Sequence, residues 1–366
     1  MAGRNEKKNI TKSKIVNYII NNKITSKAEL AQNLSLSMPT VLSNVNELID
    51  RNMVIEIGEY ESTGGRKAKR IGINPAYKYA VGVVITANHL GIVLLNMQYE
   101  IEKTIRMRLK FSTETSYCLK VAEMVEDFLK DVEDREKILG IGISIPGIID
   151  QANRMVVKSH ALQLENFSLS FLEQVFSYPV YFANDANAAM MAEDMHEYQD
   201  AVYLSLNNTL GGAFCINGKL VAGQNQKAGE FGHMILVPGG KKCYCGCADA
   251  YCAASALTDE EQEMTLEQFM EKVEQKNTKT VEKWNQYLDN LAILISNLRM
   301  AYDTDIILGG EVGGYLSEYM IPLGEKVMAY NGFEHDVRYL KNCSYKREAS
   351  AVGAAKHFLS EYIQHL

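Results

Sequence analysis

The chain has no apolar run long enough to cross a bilayer: stretches such as Tyr79 to Ile85 and Ile141 to Ile149 fall far short of the ~20 residues required. No membrane span is therefore expected. The basic amino terminus, MAGRNEKKNITKSK, lacks the apolar segment and cleavage-like site of a secretory signal, so the expected compartment is the cytoplasm. An even set of cysteines is also missing. There are seven, and three of them crowd into Cys243-Tyr-Cys245-Gly-Cys247, which in a reducing compartment suggests a metal site more than a disulfide framework. Finally, the chain has no excess of positive charge. At a net −7, its surface as a whole is unsuited to nucleic acid.

What is present is ordinary globular material: 366 residues, 47% hydrophobic and 23% charged, enough for two or three cores. The charge is unevenly divided. Residues 1–74 carry 12 Lys and Arg against 7 Asp and Glu, a net +5, which leaves −12 for the remainder. A basic module on an acidic body permits a local phosphate-binding surface, although charge alone fits a solvated basic tail equally well.

The order of elements in that module separates the two readings. Ser13 to Asn22 has helical apolar spacing, and Ser26-Lys-Ala-Glu29 has the pattern of a capping box opening a second helix through Asn33. Leu34 to Ser37 makes a turn. Ser37 then caps a third helix, with Pro39 in its first turn and Val41, Val45, Leu48 and Ile49 on one face. Ser37, Thr40, Ser43 and Asn44 are expected on the other face, as the start of a recognition helix that approaches base edges. A hairpin wing follows, broken at Gly64-Gly65, where Arg66 and Lys67 are expected to meet DNA phosphates or a narrow minor groove.

From Tyr79 onward short apolar strands alternate with longer helical segments, the pattern of an α/β fold. Strands are expected at 80–86, 91–96, 139–145, 180–183, 201–206, 213–216 and 306–308, and helices at 116–132, 281–300 and 351–366. Gly140-Ile-Gly-Ile-Ser-Ile-Pro146-Gly147 reads as a strand running into a tight turn, and Asn184-Asp185-Ala-Asn187 follows another strand. Carboxylates just beyond strand ends sit where ligands bind open α/β sheets.

Taken in order with Glu230-Phe-Gly-His233, Cys243-Tyr-Cys245-Gly-Cys247 and Leu308-Gly309-Gly310, these motifs resemble the ROK family of repressors and sugar kinases along essentially the whole chain. The resemblance implies a winged helix-turn-helix over residues 1–75 and a two-lobed, actin-like (ribonuclease H-like) sugar-kinase fold. The first lobe would comprise 78–190 plus 349–366, and the second 191–348. Asp185 matches the family's catalytic base, and Asn184, Glu230, His233 and Asp249 match positions that contact sugar hydroxyls. Asp249 stands where the family usually has Glu. His233 with Cys243, Cys245 and Cys247 would hold a structural zinc ion.

Two departures qualify the resemblance. The family's C-x-C-G-x-x-G-C-x-E is here C-Y-C-G-C-A-D, so the third thiol is either Cys247 or Cys252. The remaining thiols, Cys118, Cys215 and Cys343, read as small core residues. The D-x-G-x-T phosphate turn of the kinases is replaced by Val84-Ile-Thr86-Ala-Asn88, and the glycine-rich second loop reads Ser205-Leu-Asn207-Asn208-Thr209. Phosphoryl transfer depends on positioning and charge neutralisation, so the expectation is no enzyme activity, with Asp185 vestigial. The expected function is a sugar-responsive transcription regulator binding a double-stranded DNA operator and a sugar or sugar-phosphate effector, as a homodimer or dimer of dimers. An active ATP-dependent sugar kinase with a regulatory amino terminus, and a DNA-bound scaffold that senses no sugar, are the alternatives.

Overall fold

The computed structural model describes residues 2–60, 68–241, 248–258 and 264–366. Its first helix, Ala2–Asn22, begins well ahead of Ser13 and is followed by Lys27–Asn33 and Met38–Asp50. The expected caps are present. Ser26 Oγ accepts from Glu29 N at 3.2 Å while Ser26 N donates to Glu29 Oε2 at 2.7 Å, so two otherwise orphaned amides are satisfied reciprocally. Ser37 Oγ accepts from Thr40 N at 3.3 Å, with Pro39 in the first turn. Strands Val54–Glu59 and Lys69–Ile73 pair antiparallel as the base of the wing.

Two five-stranded sheets make up the larger part. In the first, Val180–Asn184, Ile138–Ile145 and Tyr79–Ile85 run parallel, and His89–Asn96 and Ile101–Arg108 continue as an antiparallel meander. The second repeats this order. Leu340–Asn342, Asp305–Gly309 and Ala201–Leu206 run parallel, followed by the antiparallel Leu210–Ile216 and Lys219–Leu220. A three-stranded antiparallel sheet of Ile148–Asp150, Met155–Ser159 and Leu164–Ser168 stands beside the first.

The carboxy-terminal helix, Ala349–Gln364, holds these parts together. It lies so close to the first sheet that a Cβ at Gly142 would collide with the Ala354 carbonyl, and a Cβ at Gly353 with the carbonyl of Ala188. Ala188 belongs to the short helix Asp185–Ala192, called here the cleft helix. At its far end the carboxy-terminal helix meets the winged helix. Ser13 Oγ donates to the Ile363 carbonyl at 2.5 Å, and the hydroxyls of Tyr77 and Tyr362 lie 3.0 Å apart. One apolar cluster runs from Ile15, Ile19 and Leu48 through Leu95 to Val352, Leu359 and Ile363 without a break. The amino-terminal module is packed onto the body rather than tethered to it. Among the described residues no helix is long and apolar enough to cross a membrane.

Candidate functional sites: the interlobe cleft and the recognition helix

A cavity of about 400 Å³ opens at the amino-terminal end of the cleft helix, a size suited to a small ligand. Asn184, Asp185, Glu230 and His233 line it, together with His160 and Lys158 from the small three-stranded sheet. The chain is bent into place by Gly147, whose φ of +124° leaves no room for a side chain: a Cβ would lie 2.5 Å from the Lys158 carbonyl. Asn184 then fixes the geometry. Its Oδ1 caps the cleft helix by accepting from Asn187 N at 2.9 Å, and its Nδ2 donates to the Gly147 carbonyl at 2.9 Å and to Asp185 Oδ1 at 3.3 Å.

Asp185 is thereby held at the cavity wall. Burial raises its pKa to about 6 and the nearby Glu230 carboxylate adds to the rise, against the Ala186 N–H that donates to Oδ1 at 3.0 Å. Glu230 is raised as well, by burial, with Lys227 opposing. His233 Nε2 lies 3.8 Å from Glu230 Oε2, and its ring centroid is 6.1 Å from that of His160. Burial, then the charge of Lys158, lowers the pKa of His160. Two carboxylates and two imidazoles around one cavity offer acceptors and donors in the mixture that a polyol needs. His160 is far from the motifs in sequence and was not anticipated.

Asp249 is placed differently from the expectation. It is 1% exposed, behind the cavity wall, where Oδ1 accepts from Leu210 N at 2.5 Å and so holds the strand that forms the wall. Cys243, Cys245 and Cys247 lie outside the described residues. Cys252 is fully buried in the second lobe's core, and burial pushes its thiol pKa well up. Cys118 and Cys215 are buried and free, as expected of core residues, and Cys343 is half-buried.

A second cavity, of about 580 Å³, adjoins the first and shares Pro146, His160, Asp185 and Thr209 with it. Val84 to Asn88 and Asn207 to Thr209 line it. The Asn207 side chain is already committed: Oδ1 accepts from Glu311 N at 2.9 Å and Nδ2 donates to Ser205 Oγ at 2.9 Å.

On the winged helix, Ser37 and Ser43 are exposed and Thr40 is half-buried, but Asn44 is not on that face. It is 4% exposed and its Nδ2 donates back to the Thr40 carbonyl at 2.8 Å. Asn44 stands three residues after Val41 and four before Leu48, both in the core, so helical geometry turns it inward. Met38, Leu42 and Asn46 are exposed alongside Ser37 and Ser43. Arg66 and Lys67 lie outside the described residues.

Residues 80–361 match the model of the ROK family, and residues 8–55 match a winged helix-turn-helix DNA-binding model. The chain belongs to the ROK family. This ROK protein is 27% identical over 258 residues to the xylose repressor of Bacillus spizizenii, a stretch covering 68% of this chain and 67% of that one. Among solved structures, a ROK family transcriptional regulator described as a homologue of the E. coli MLC protein matches with a TM-score of 0.75 at 18% identity, over 98% of both chains. A ROK glucokinase from Streptomyces griseus, solved with glucose and AMPPNP, matches with a TM-score of 0.61 at 21% identity, over 76% of this chain and 98% of its own. The fold is therefore shared by regulators and kinases alike. The winged helix distinguishes this ROK protein, since the glucokinase is matched over nearly its full length by only three quarters of the chain.

Proposed function

We propose that this ROK protein is a sugar-responsive, DNA-binding transcriptional repressor whose kinase-like body senses its effector in the 400 Å³ cleft. The observation that carries the reading is the carboxy-terminal helix, which touches the cleft helix at Gly353 and the winged helix at Ile363. A ligand that favours one closure of the cleft is thus coupled, through a single rigid element, to the placement of the recognition helix. Its effect on DNA affinity equals its difference in affinity for the two states. Asn184, Asp185, Glu230 and His233 hold the sugar hydroxyls. Asp249 acts one layer back, by fixing the wall.

The reading includes the absence of phosphoryl transfer. Asn207 spends its amide on the Glu311 loop instead of leaving a bare backbone for phosphate, and Val84 to Asn88 supply no acidic group for a metal. The operator is double-stranded DNA, read by two copies in a homodimer or dimer of dimers, because helix-turn-helix operators mirror the symmetry of the protein. The compartment is the cytoplasm. His233 with Cys243, Cys245 and Cys247 holds a structural zinc ion, all four being soft or borderline donors. Protein purified without added metal should contain about one zinc per chain by elemental analysis. Metal-free protein that melts at the same temperature after zinc is supplied would remove the ion from the account.

The deciding experiment is selection of genomic fragments by the purified full-length chain, with and without a sugar panel led by xylose and glucose. The relative named xylose repressor and the glucose-bound glucokinase set that order. A few related palindromic sites should be enriched and then released by one sugar. Enrichment that no sugar alters would favour the scaffold reading, and sugar-dependent ATP turnover without enrichment would favour the kinase.

A further inference from the structure

The recognition helix presents an apolar tip. Met38 and Leu42 are 42% and 40% exposed, and Pro39 between them is exposed as well. These are not misplaced core residues. The core of the module is supplied by the other side of the same helix, through Val41, Val45 and Leu48. Met38, Leu42 and Asn46 follow one another at four-residue intervals and so form a line along the helix surface. No charged residue occurs from Leu34 through Asn46, so this strip has nothing with which to neutralise a phosphate. Lys27, at the start of the preceding helix, donates from Nζ to Asn46 Oδ1 at 2.7 Å.

Single exposed apolar side chains need no explanation, but three in the first turns of a helix that enters DNA do. In the major groove the phosphates line the rims, and the floor offers one apolar group, the C5 methyl of thymine. We infer that Met38 and Leu42 read thymine methyl groups, with Asn46 beside them placed to bond the edge of an adenine. The inference rests on the DNA-binding reading above. It moves base recognition from Thr40 and Ser43 to the line Met38–Leu42–Asn46. The hydroxyls of Ser37 and Thr40 lie 2.8 Å from each other at the helix cap and serve the helix first. The operator half-site accordingly contains adjacent A·T pairs whose thymines face the first turns of the helix.

Replacing thymine by uracil deletes the methyl group and leaves the pairing intact. The full-length chain is first used to enrich duplexes from a randomised library. The best duplex is then remade with uracil at one thymine position at a time. For the unaltered protein, uracil at one or two positions per half-site should weaken binding about threefold to fivefold, the value of one buried methyl. Leu42→Ala should weaken binding to the thymine duplex by a similar factor and abolish the uracil penalty at its own position. Its salt dependence should match that of the unaltered protein, because no phosphate contact is lost. Leu42 is a surface residue outside the core, and Met38→Ala provides an independent second cycle.

A uracil penalty that persists undiminished in both variants, or an enriched duplex indifferent to uracil throughout, overturns the inference and leaves the DNA-binding reading standing. So does a loss of self-association in Leu42→Ala with DNA affinity unchanged, which would assign the tip to a second copy of the chain. Failure to enrich any duplex overturns the DNA-binding reading, and the inference with it.

Discussion

Asp185 is a carboxylate in a position that penalises its charge. It stands at the wall of the cleft with Glu230 nearby, and its pKa of about 6 lies above the ~4 of an unfolded aspartate. The folded chain therefore holds this proton more tightly than the unfolded chain does. Between about pH 4 and pH 6 each rise in pH removes stability, and above pH 6 the penalty is present in full. Asp185→Asn keeps the shape and removes the charge. Its thermal midpoint should exceed that of the unaltered protein by about 2–4 °C near pH 7.5 and by almost nothing near pH 4. An equal gain at both pH values would mean that burial of the charge is not the cause. The same variant should lose its response to sugar, because an ionised carboxylate accepts two hydroxyls where an amide accepts one and donates one. Stability and sensing are opposed at this residue, as is common where a ligand replaces lost solvent.

At the scale of elements, legibility followed locality. The capping pairs Ser26–Glu29 and Ser37–Thr40 lie three residues apart, and both were readable from spacing alone. The inward turn of Asn44 was equally local: its spacing to Val41 and Leu48 places it on the buried face, and its polar character misleads only if that spacing is ignored. The start of the first helix was illegible for the opposite reason. From Ala2 to Lys12 the chain has no apolar period to mark a helix, and it includes poor helix formers such as Gly3, Asn5 and Asn9. Strand Ile101–Arg108 has one partly covered face, made by Ile101, Lys103, Ile105 and Met107, and the adjacent charges Glu102 and Lys103 break its alternation, so it resembles an exposed loop in composition. The ROK resemblance supplied the fold class, which no single strand or helix carried. Neither strand order nor the neighbours of the cleft are encoded within a window. His160 lies beside His233 across 73 residues of chain, and Asp249 lies behind Leu210 across 39. Those placements had to be seen.

At the scale of the whole molecule, the two lobes are joined across the larger cavity by charges of alternating sign. Arg106, on the edge strand of the first sheet, pairs with Glu311 of the second lobe at 2.6 Å. Arg347, just ahead of the carboxy-terminal helix, approaches Glu311 at 4.0 Å and pairs with Glu267. Isolated surface pairs contribute little, but here four groups share one network between two bodies, and each side chain is partly shielded. The network bridges the two lobes through protein side chains alone. Arg106→Gln and Glu311→Gln should each lower the thermal midpoint slightly, and the double variant should be no worse than either single one, a coupling of about 0.5–1 kcal/mol. Small-angle scattering should show a larger radius of gyration for either variant, with the difference shrinking as added salt screens the pair in the unaltered protein. Additive losses and an unchanged radius would make the Arg106–Glu311 pair a surface contact, and lobe closure would then rest on apolar packing such as that of Ala186, Ala189 and Met190 against Ala201, Tyr203 and Ala213.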